Sequence, residues 1–577
     1  MAAKKPKTQT YSYVPDMWLK SYPHGVVANL TEANADDLAS FLENAAEQHQ
    51  YEQAITLCLP NGVTGGLSYG QLNQYADRFA AYLAHSLGLQ KGDRVAVMLP
   101  NTLAYPVVML GVLKAGCVLV NVNPLYTEGE LRHQLVDSGA RLLVVFDQFL
   151  QTAKHGTGGT DVTAVVSVGA GDFLPLRDRL VVNTVARLTG PSKVKGLNAW
   201  SLMDALQRGA KTMRKKPFRA ELNTSDLACL QYTGGTTGVS KGAELTHGNL
   251  LTNIRQALAM LDAQPDTELR CFLHALPLYH SFSFITLLSG LQLGANNVLV
   301  PSPRPVTNLR SAFEQFEFDA MAGVNTLFVK LLDEDWFITN PPNNMQIALA
   351  GGAALHDTVA RTWIKVVGVE PLQGYGLTEA SPVVAVNPPG FTIKRGSVGV
   401  PVPDTEIDIV DEKGRSVPPG EQGELLVHGP QVMRGYWQQP DATKQVLADG
   451  WLRTGDVAKM DQDGYLYIVD RIKDVVIVSG FNVFPNEIEA EISKHPDVLD
   501  VGVIGVPDAQ TGEAVWAFVV PRTSDLEADS VLAWCRQLLT SYKVPSRIEL
   551  VQELPTSAVG KVLRRELRQW VLQGRYG

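Results

Sequence analysis

The chain of 577 residues is 45% hydrophobic and 19% charged, with a formal net charge of −9. That much apolar material fills sizeable cores, and at ~150 residues per domain the length corresponds to three or four domains or subdomains. The acidic balance argues against a general nucleic-acid binder, which needs a basic footprint.

Lys4, Lys5 and Lys7 open the chain without a following apolar run, so the hydrophobic region of a signal peptide is missing. No apolar run reaches the ~18 residues of a spanning helix. The expectation is a cytoplasmic protein, soluble or at most peripheral on the cytoplasmic face of the inner membrane. Cys58, Cys117, Cys229, Cys271 and Cys535 are odd in number and far apart, as expected of reduced, mostly buried thiols.

Residues 1–30, with Pro15, Pro23 and scattered aromatics, read as an extended arm. Apolar spacing predicts amphipathic helices over 38–46 and 69–86. Residues 95–98, 118–122 and 142–146 read as buried strands. Between them 106–115 reads as a closely packed helix, with Gly111, Ala115 and Gly116. Strands alternating with helices imply an α/β fold with a parallel sheet flanked by helices.

The stretch 177–219 is basic. It carries Arg177, Arg179, Arg187, Lys193, Lys195, Arg208, Lys211, Arg214, Lys215, Lys216 and Arg219 against only Asp178 and Asp204. Interleaved apolar residues suggest attraction to an anionic membrane surface. A solvated basic face and an entrance for an anionic substrate are the alternatives.

Tyr232-Thr233-Gly234-Gly235-Thr236-Thr237-Gly238-Val239-Ser240-Lys241-Gly242 carries the strongest chemical signal. Glycines let successive backbone N–H groups line an anion. The hydroxyls of Thr233, Thr236, Thr237 and Ser240 add donors, and Lys241 adds a point charge. The stretch follows a predicted strand over 227–232 and precedes a helix-like segment from His247. It departs from the common P-loop: Ser240 replaces its second glycine, and Gly242 replaces its Mg²⁺-binding hydroxyl. A polar turn between strands is the alternative. Gln373-Gly374-Tyr375-Gly376-Leu377-Thr378-Glu379 is the second signal, with a flat ring for a purine, a phosphate donor and a hard oxygen ligand suited to Mg²⁺.

Thr-Gly-Gly-Thr-Thr-Gly-x-x-Lys-Gly resembles the phosphate loop of the adenylate-forming superfamily. Its members include acyl-CoA synthetases, peptide synthetase adenylation domains and beetle luciferases. The resemblance runs from about residue 40 to the C-terminus and is strongest to bacterial long-chain fatty acid:CoA ligases. It implies a large N-terminal domain of flanked β-sheets plus a β-barrel-like subdomain (1–470), a hinge at 471–474, and a small mobile α+β C-terminal domain (475–577). The tail itself reads as a helix over 488–493 and strands over 501–506 and 515–520.

The resemblance also assigns roles. Gly352 and Ala353, with Gly374, Tyr375 and Gly376, would flank adenine. Thr378 would contact phosphate and Glu379 would hold Mg²⁺. Asp456, in Thr454-Gly455-Asp456, would hold the ribose hydroxyls, and Arg471 would contact ribose and phosphate. Lys561, closing Pro555-Thr556-Ser557-Ala558-Val559-Gly560-Lys561, would be the essential lysine. His280 would orient the acyl site without serving as base, since a carboxylate is already ionised at neutral pH. Phe284 would gate an acyl tunnel lined by Gly323, Val324 and Thr326, with Met321, Asn325 and Leu327 beside them. Lys473 would be the hinge, and Gly480 would let the pantetheine arm pass. The implied substrates are ATP, a fatty acid and coenzyme A, with Mg²⁺ as cofactor and no nucleic acid; a homodimer is an allowed state. The expected reaction forms acyl-adenylate and pyrophosphate, then the thioester and AMP. Rivals are a medium-chain or aryl acid ligase of the same superfamily and a non-catalytic lipid- or nucleotide-binding relative.

Overall fold

Runs rich in Val, Leu and Ala form the covered strands of two large sheets, as burial on both faces requires. In the seven-stranded sheet the order is Ala199–Ser201, Ala164–Val168, Leu142–Phe146, Arg94–Met98, Val118–Asn121, Leu227–Thr233 and Lys241–Thr246. All pairings are parallel except the last, where Lys241–Thr246 returns antiparallel to Leu227–Thr233. The nine-stranded sheet has Asn296–Leu299, Cys271–His274, Ala320–Gly323, Ile347–Ala350 and Leu372–Gly376 parallel at its centre. The structure is a computed structural model that describes residues 13, 16–30, 37–189, 197–214, 217–233, 240–261 and 268–576.

Helices pack on these sheets where the periodicity puts them. Ser68 caps Tyr69–Ala81 in a reciprocal capping box with Gln71, and Leu72, Ala76 and Phe79 face the core. One π turn, Tyr82–Ser86, completes the expected 69–86 span. Ala104–Lys114 is buried all round. A side chain on Gly111 would stand 2.9 Å from the Ala76 carbonyl oxygen, so glycine permits this close helix crossing. The buried Lys114 ammonium is paired with Asp77 at 2.5 Å and Glu43 at 2.9 Å, as a charge removed from water must be.

The β-barrel-like element is a five-stranded antiparallel sheet of Glu406–Val410, Gly423–His428, Leu447–Ala448, Trp451–Met460 and Leu466–Arg471. The N-terminal arm is not the extended segment its prolines suggest. Asp16–Leu19 is a short helix, and Trp18 is only 1% exposed. Tyr22 donates to the Pro401 carbonyl at 2.6 Å, and Ser21 donates to that of Asp463 at 2.7 Å. Burying the indole drives this docking.

The turn Ile472–Asp474 leads from Leu466–Arg471 into a second five-stranded sheet, containing Val476–Val478, Phe481–Val483, Val498–Asp508, Gly512–Pro521 and Arg547–Leu550. With helices Pro485–Ile492, Ala528–Leu538 and Arg564–Leu572 it has cores of its own around Ile488, Val503 and Phe518. The architecture is therefore a large N-terminal and a small C-terminal α/β unit.

The basic stretch is largely helical, in Leu176–Thr189 and Leu202–Thr212. Leu176, Val181 and Trp200 are exposed, and the Arg208 guanidinium stacks 3.7 Å above the Trp200 ring. Lys193, Lys195, Lys215 and Lys216 lie outside the described residues. Among the described residues no helix is long and apolar enough to cross a membrane.

Candidate active site

The phosphate loop joins two antiparallel strands; helix His247–Leu261 starts at the expected residue, and the strand Lys241–Thr246 before it is not anticipated by the sequence. Thr233 pairs with Lys241 across the ladder, and the Ser240 hydroxyl donates to the Thr233 carbonyl at 2.7 Å. Gly234, Gly235, Thr236, Thr237 and Gly238 lie outside the described residues. Lys241 Nζ sits 5.1 Å from the centre of the Tyr436 ring. The Tyr436 hydroxyl donates to Glu379 Oε1 at 2.7 Å. One tyrosine thus links the loop's lysine to the carboxylate expected at the metal.

Tyr436 is held there by backbone pairing. Glu244 N donates to the Gly435 carbonyl at 2.9 Å, and Trp437 N donates to that of Gly242 at 2.8 Å. Sequence reading missed this residue. Its only signal is an aromatic pair behind a glycine, Arg434-Gly435-Tyr436-Trp437.

Strand Leu372–Gly376 delivers the second motif to the same place. The Tyr375 hydroxyl donates to Asp456 Oδ2 at 2.5 Å. Arg471 Nε is 3.2 Å from Asp456 Oδ1, and the two residues face each other in the antiparallel ladder. Burial, then the adjacent Asp456 charge, pushes the Tyr375 phenol well above its usual range, so it stays a donor. Thr378 and Ser281 hydroxyls lie 3.3 Å apart. A Cβ at Gly376 would fall 2.2 Å from the Pro382 carbonyl oxygen, so only glycine fits. Gly374 precedes Tyr375 on the strand. Gly352 has a φ of +76° in the turn after Ile347–Ala350, with Ala353 beside it. Gln373 Oε1 accepts from Leu355 N at 3.2 Å and so ties that turn to the Tyr375 strand. The Phe282 ring lies 3.1 Å from where a Gly351 Cβ would be, which brings the His280 helix against the same turn.

The C-terminal unit places Lys561 in this cleft. Gly560, with φ +92°, lies so close that a Cβ would be 2.5 Å from Thr326 Oγ1 and 3.1 Å from Val324 Cγ2. Thr326 donates to the Gly560 carbonyl at 3.1 Å, and Arg304 donates to that of Ser557 at 2.8 Å. Burial, followed by repulsion from Arg471 and Arg564 and offset in part by Asp456, lowers the Lys561 ammonium to about 8. Burial and then the Lys561 charge lower His280 to about 4, so its imidazole is neutral at pH 7. His280 Nδ1 accepts from Phe282 N at 3.4 Å as cap of helix Ser281–Gln292.

Gly323 and Phe284 flank the same region: the Gly323 carbonyl accepts from Gly351 N at 3.2 Å, and Phe284 N donates to the His280 carbonyl at 2.8 Å. Phe284 is 2% exposed in the main core. Gly323 leaves room for Phe328, whose ring would be 2.9 Å from an added Cβ. Lys473 is exposed in the turn Ile472–Asp474. Gly480 forms an exposed hairpin tip with Ser479, at φ +86° and +50°, between the paired Val478 and Phe481. Positive φ at both positions is what a two-residue type I′ turn demands.

Comparison with known proteins gives these positions a context. Residues 42–437 match the AMP-binding enzyme family, and 487–561 match the AMP-binding enzyme C-terminal domain. The chain is 44% identical to a long-chain-fatty-acid–CoA ligase of Salmonella typhimurium over 557 residues, covering 96% of this chain and 98% of the relative. A Bacillus subtilis ligase of the same name is 35% identical, covering 95% and 97%. Among solved structures, an anthranilate CoA ligase in complex with anthranoyl-AMP superposes with a TM-score of 0.82 at 25% identity, covering 93% of this chain and 98% of the other. ATP-bound MatB from Rhodopseudomonas palustris gives 0.79 at 29% identity, covering 93% and 100%. Tyr375 falls within the first matched segment and Lys561 closes the second, so both sides of the cleft draw on segments shared with one enzyme family, and the chain belongs to the AMP-binding enzymes.

Proposed function

We propose that this protein is an AMP-forming long-chain fatty acid:CoA ligase. The observation that carries the reading is the seating of Gly560 against Val324 and Thr326, which brings the adjacent Lys561 within electrostatic reach of His280, Asp456 and Arg471. That juxtaposition joins the expected acyl pocket to the expected nucleotide cleft at one ammonium. Near-full-length identity of 41–44% to curated long-chain ligases supports the chain-length class.

In the first half-reaction a fatty acid carboxylate attacks the α-phosphorus of ATP and pyrophosphate leaves. Two anions must approach, so the site has to supply positive charge. Lys561 faces the carboxylate and α-phosphate, while Lys241 and the loop from Thr233 to Ser240 hold the outer phosphates. Asp456 accepts from the ribose hydroxyls, oriented by Tyr375 and Arg471. Neutral His280 shapes the acyl end without taking a proton. Glu379 fits a Mg²⁺ site: Tyr436 occupies Oε1, no hydrogen bond from a described residue occupies Oε2, and Mg²⁺ favours few carboxylates plus phosphates and waters. Such an ion would neutralise phosphate charge.

For the second half-reaction the C-terminal unit turns about Lys473, withdrawing Lys561 and bringing in Gly480. The thiol of coenzyme A then attacks the acyl carbonyl and AMP leaves. Each buried methylene contributes ~0.8 kcal/mol, so a deep apolar pocket selects long acids. The basic stretch 177–219, with exposed Val181 and Trp200, would dock on an anionic bilayer. An aryl-acid ligase is the second reading, favoured by 34% identity to a feruloyl-CoA synthase and the anthranilate ligase superposition.

The test is pyrophosphate release with ATP, Mg²⁺ and acids from acetate to oleate, with and without coenzyme A. A maximum at long chains, with AMP and acyl-CoA as products, is expected. A maximum at aromatic acids would favour the second reading, and no release with any acid would leave a binding protein.

A further inference from the structure

Asp470 and Arg564 lie 94 positions apart and meet in an ion cluster beneath the interdomain turn. Arg564 Nη1 is 3.0 Å from Asp470 Oδ1 and 3.6 Å from Asp474 Oδ2. Its Nη2 lies 2.9 Å from both carboxylate oxygens of Glu489 and also donates to the Asn486 side chain. Arg568 holds the other oxygen of Asp474 at 3.0 Å. The second oxygen of Asp470 accepts from Asn486 N at 2.8 Å. The Asp470 carboxylate is fully buried and the Arg564 side chain nearly so, at 0% and 13% exposure.

These partners do not all belong to the same body. Asp474, Asn486, Glu489, Arg564 and Arg568 follow Lys473 in the chain. Asp470 sits on Leu466–Arg471, with Val457 opposite it in the N-terminal antiparallel sheet. If the C-terminal unit turns about Lys473, which is part of the functional reading above, Arg564 keeps Glu489 and Asp474 and loses Asp470. Asn486 also gives up its bonds to Asp470 and the Val469 carbonyl, but the charges on both sides of the break stay satisfied. Glu489 continues to neutralise the guanidinium, and water can reach the released aspartate, so separation avoids the large cost of an unpaired buried charge. Arg564 also lies three positions beyond Lys561, so whatever fixes its guanidinium fixes the start of the helix that follows the lysine loop.

We propose that the Asp470–Arg564 pair is a releasable latch that holds the Lys561-in arrangement, making both residues positioning residues for adenylation and not for thioester formation. Losing the latch shifts the population of the C-terminal unit away from the adenylating state.

The test uses full-length Asp470→Asn and three readouts: first-turnover pyrophosphate release, thioester formation from preformed acyl-adenylate and coenzyme A, and tryptic cutting at the exposed Lys473. Release is expected to slow about tenfold, thioester formation to stay within about twofold of wild type, and cutting to rise severalfold. Glu489→Gln, which alters a partner that travels with Arg564, should affect both half-reactions alike. Equal slowing of both half-reactions in Asp470→Asn, or no change in any readout, overturns the latch. If Asp470→Asn does not fold, Asp470→Glu keeps the charge, displaces the oxygen that meets Arg564 Nη1 and leaves the Glu489 fork intact; it should show the same split, and equal slowing again overturns the proposal. If the wild-type protein activates no acid, the functional reading fails, while the contrast in tryptic cutting still decides the latch.

Discussion

Tyr375 and Asp456 are joined by a 2.5 Å hydrogen bond from the phenol to Oδ2, which leaves Oδ1 to Arg471. The aspartate is therefore held from two sides before any nucleotide arrives. Hydrogen bonds to charged groups contribute about 1.5–3 kcal/mol. Tyr375→Phe is expected to raise the KM for ATP about tenfold with little change in the KM for the acid, as measured by initial rates at varied ATP. An unchanged ATP KM would remove Tyr375 from ribose-site organisation.

Lys561→Ala should abolish adenylate formation and spare thioester formation from preformed acyl-adenylate. The wild-type ammonium titrates near 8 and is charged below that value. Adenylation needs the charged form, so kcat/KM for pyrophosphate release should fall as pH rises through about 8. Lys561→Arg, slower overall, should lack this alkaline limb because guanidinium stays protonated. An identical limb in both proteins would place the titrating group elsewhere.

Tyr436→Phe removes the donor on Glu379 Oε1 while keeping the ring under Lys241. Groups that orient a metal ligand typically change affinity about 10-fold or more. Mg²⁺ titration of pyrophosphate release at saturating ATP should show that increase in the Mg²⁺ requirement, with thermal stability unchanged. A purely structural tyrosine would lower the melting temperature and leave the Mg²⁺ curve in place.

Gly480→Leu places a side chain at φ +86°, where the surrounding space is open but the backbone is strained for leucine. Destabilisation of ~1–2 kcal/mol is expected. The functional expectation is sharper: the coenzyme A step slows while first-turnover pyrophosphate release persists. An unaffected coenzyme A step would rule out the proposed pantetheine route.

Docking by the 177–219 stretch predicts binding to phosphatidylserine vesicles that weakens as salt rises, because surface charges are screened over about 10 Å at 0.1 M. Sedimentation with vesicles at increasing salt measures this. Binding that ignores salt, or none, excludes the docking.

What the sequence made legible were features with local causes. Strand Leu142–Phe146 has the expected bounds, and the Tyr69 helix follows from its apolar spacing and its Ser68 cap. The motif residues Tyr375, Glu379, Asp456, Arg471 and Lys561 announce their chemistry by type and order. Long-range pairing hid the rest. Lys241–Thr246 is a strand because it has partners on both edges, and one of them, the Arg434 segment, lies 190 positions away. Tyr436 was invisible for that reason. Thr326 read as pocket lining, and its bond to the Gly560 carbonyl, 234 positions away, could not be read from the sequence. The arm's fate was hidden likewise, since nothing within residues 13–22 names the surface that buries Trp18.

That arm sets a schedule for the ribosome. Lys20 and Ser21 bond the carbonyls of Gln462 and Asp463, each 442 positions further along. At synthesis rates of ~5–20 residues per second, Trp18 emerges roughly 20–90 s before its resting place exists. The nascent chain must carry an unburied indole through most of its translation, and the arm docks only when the first-made and nearly last-made parts of the large unit meet.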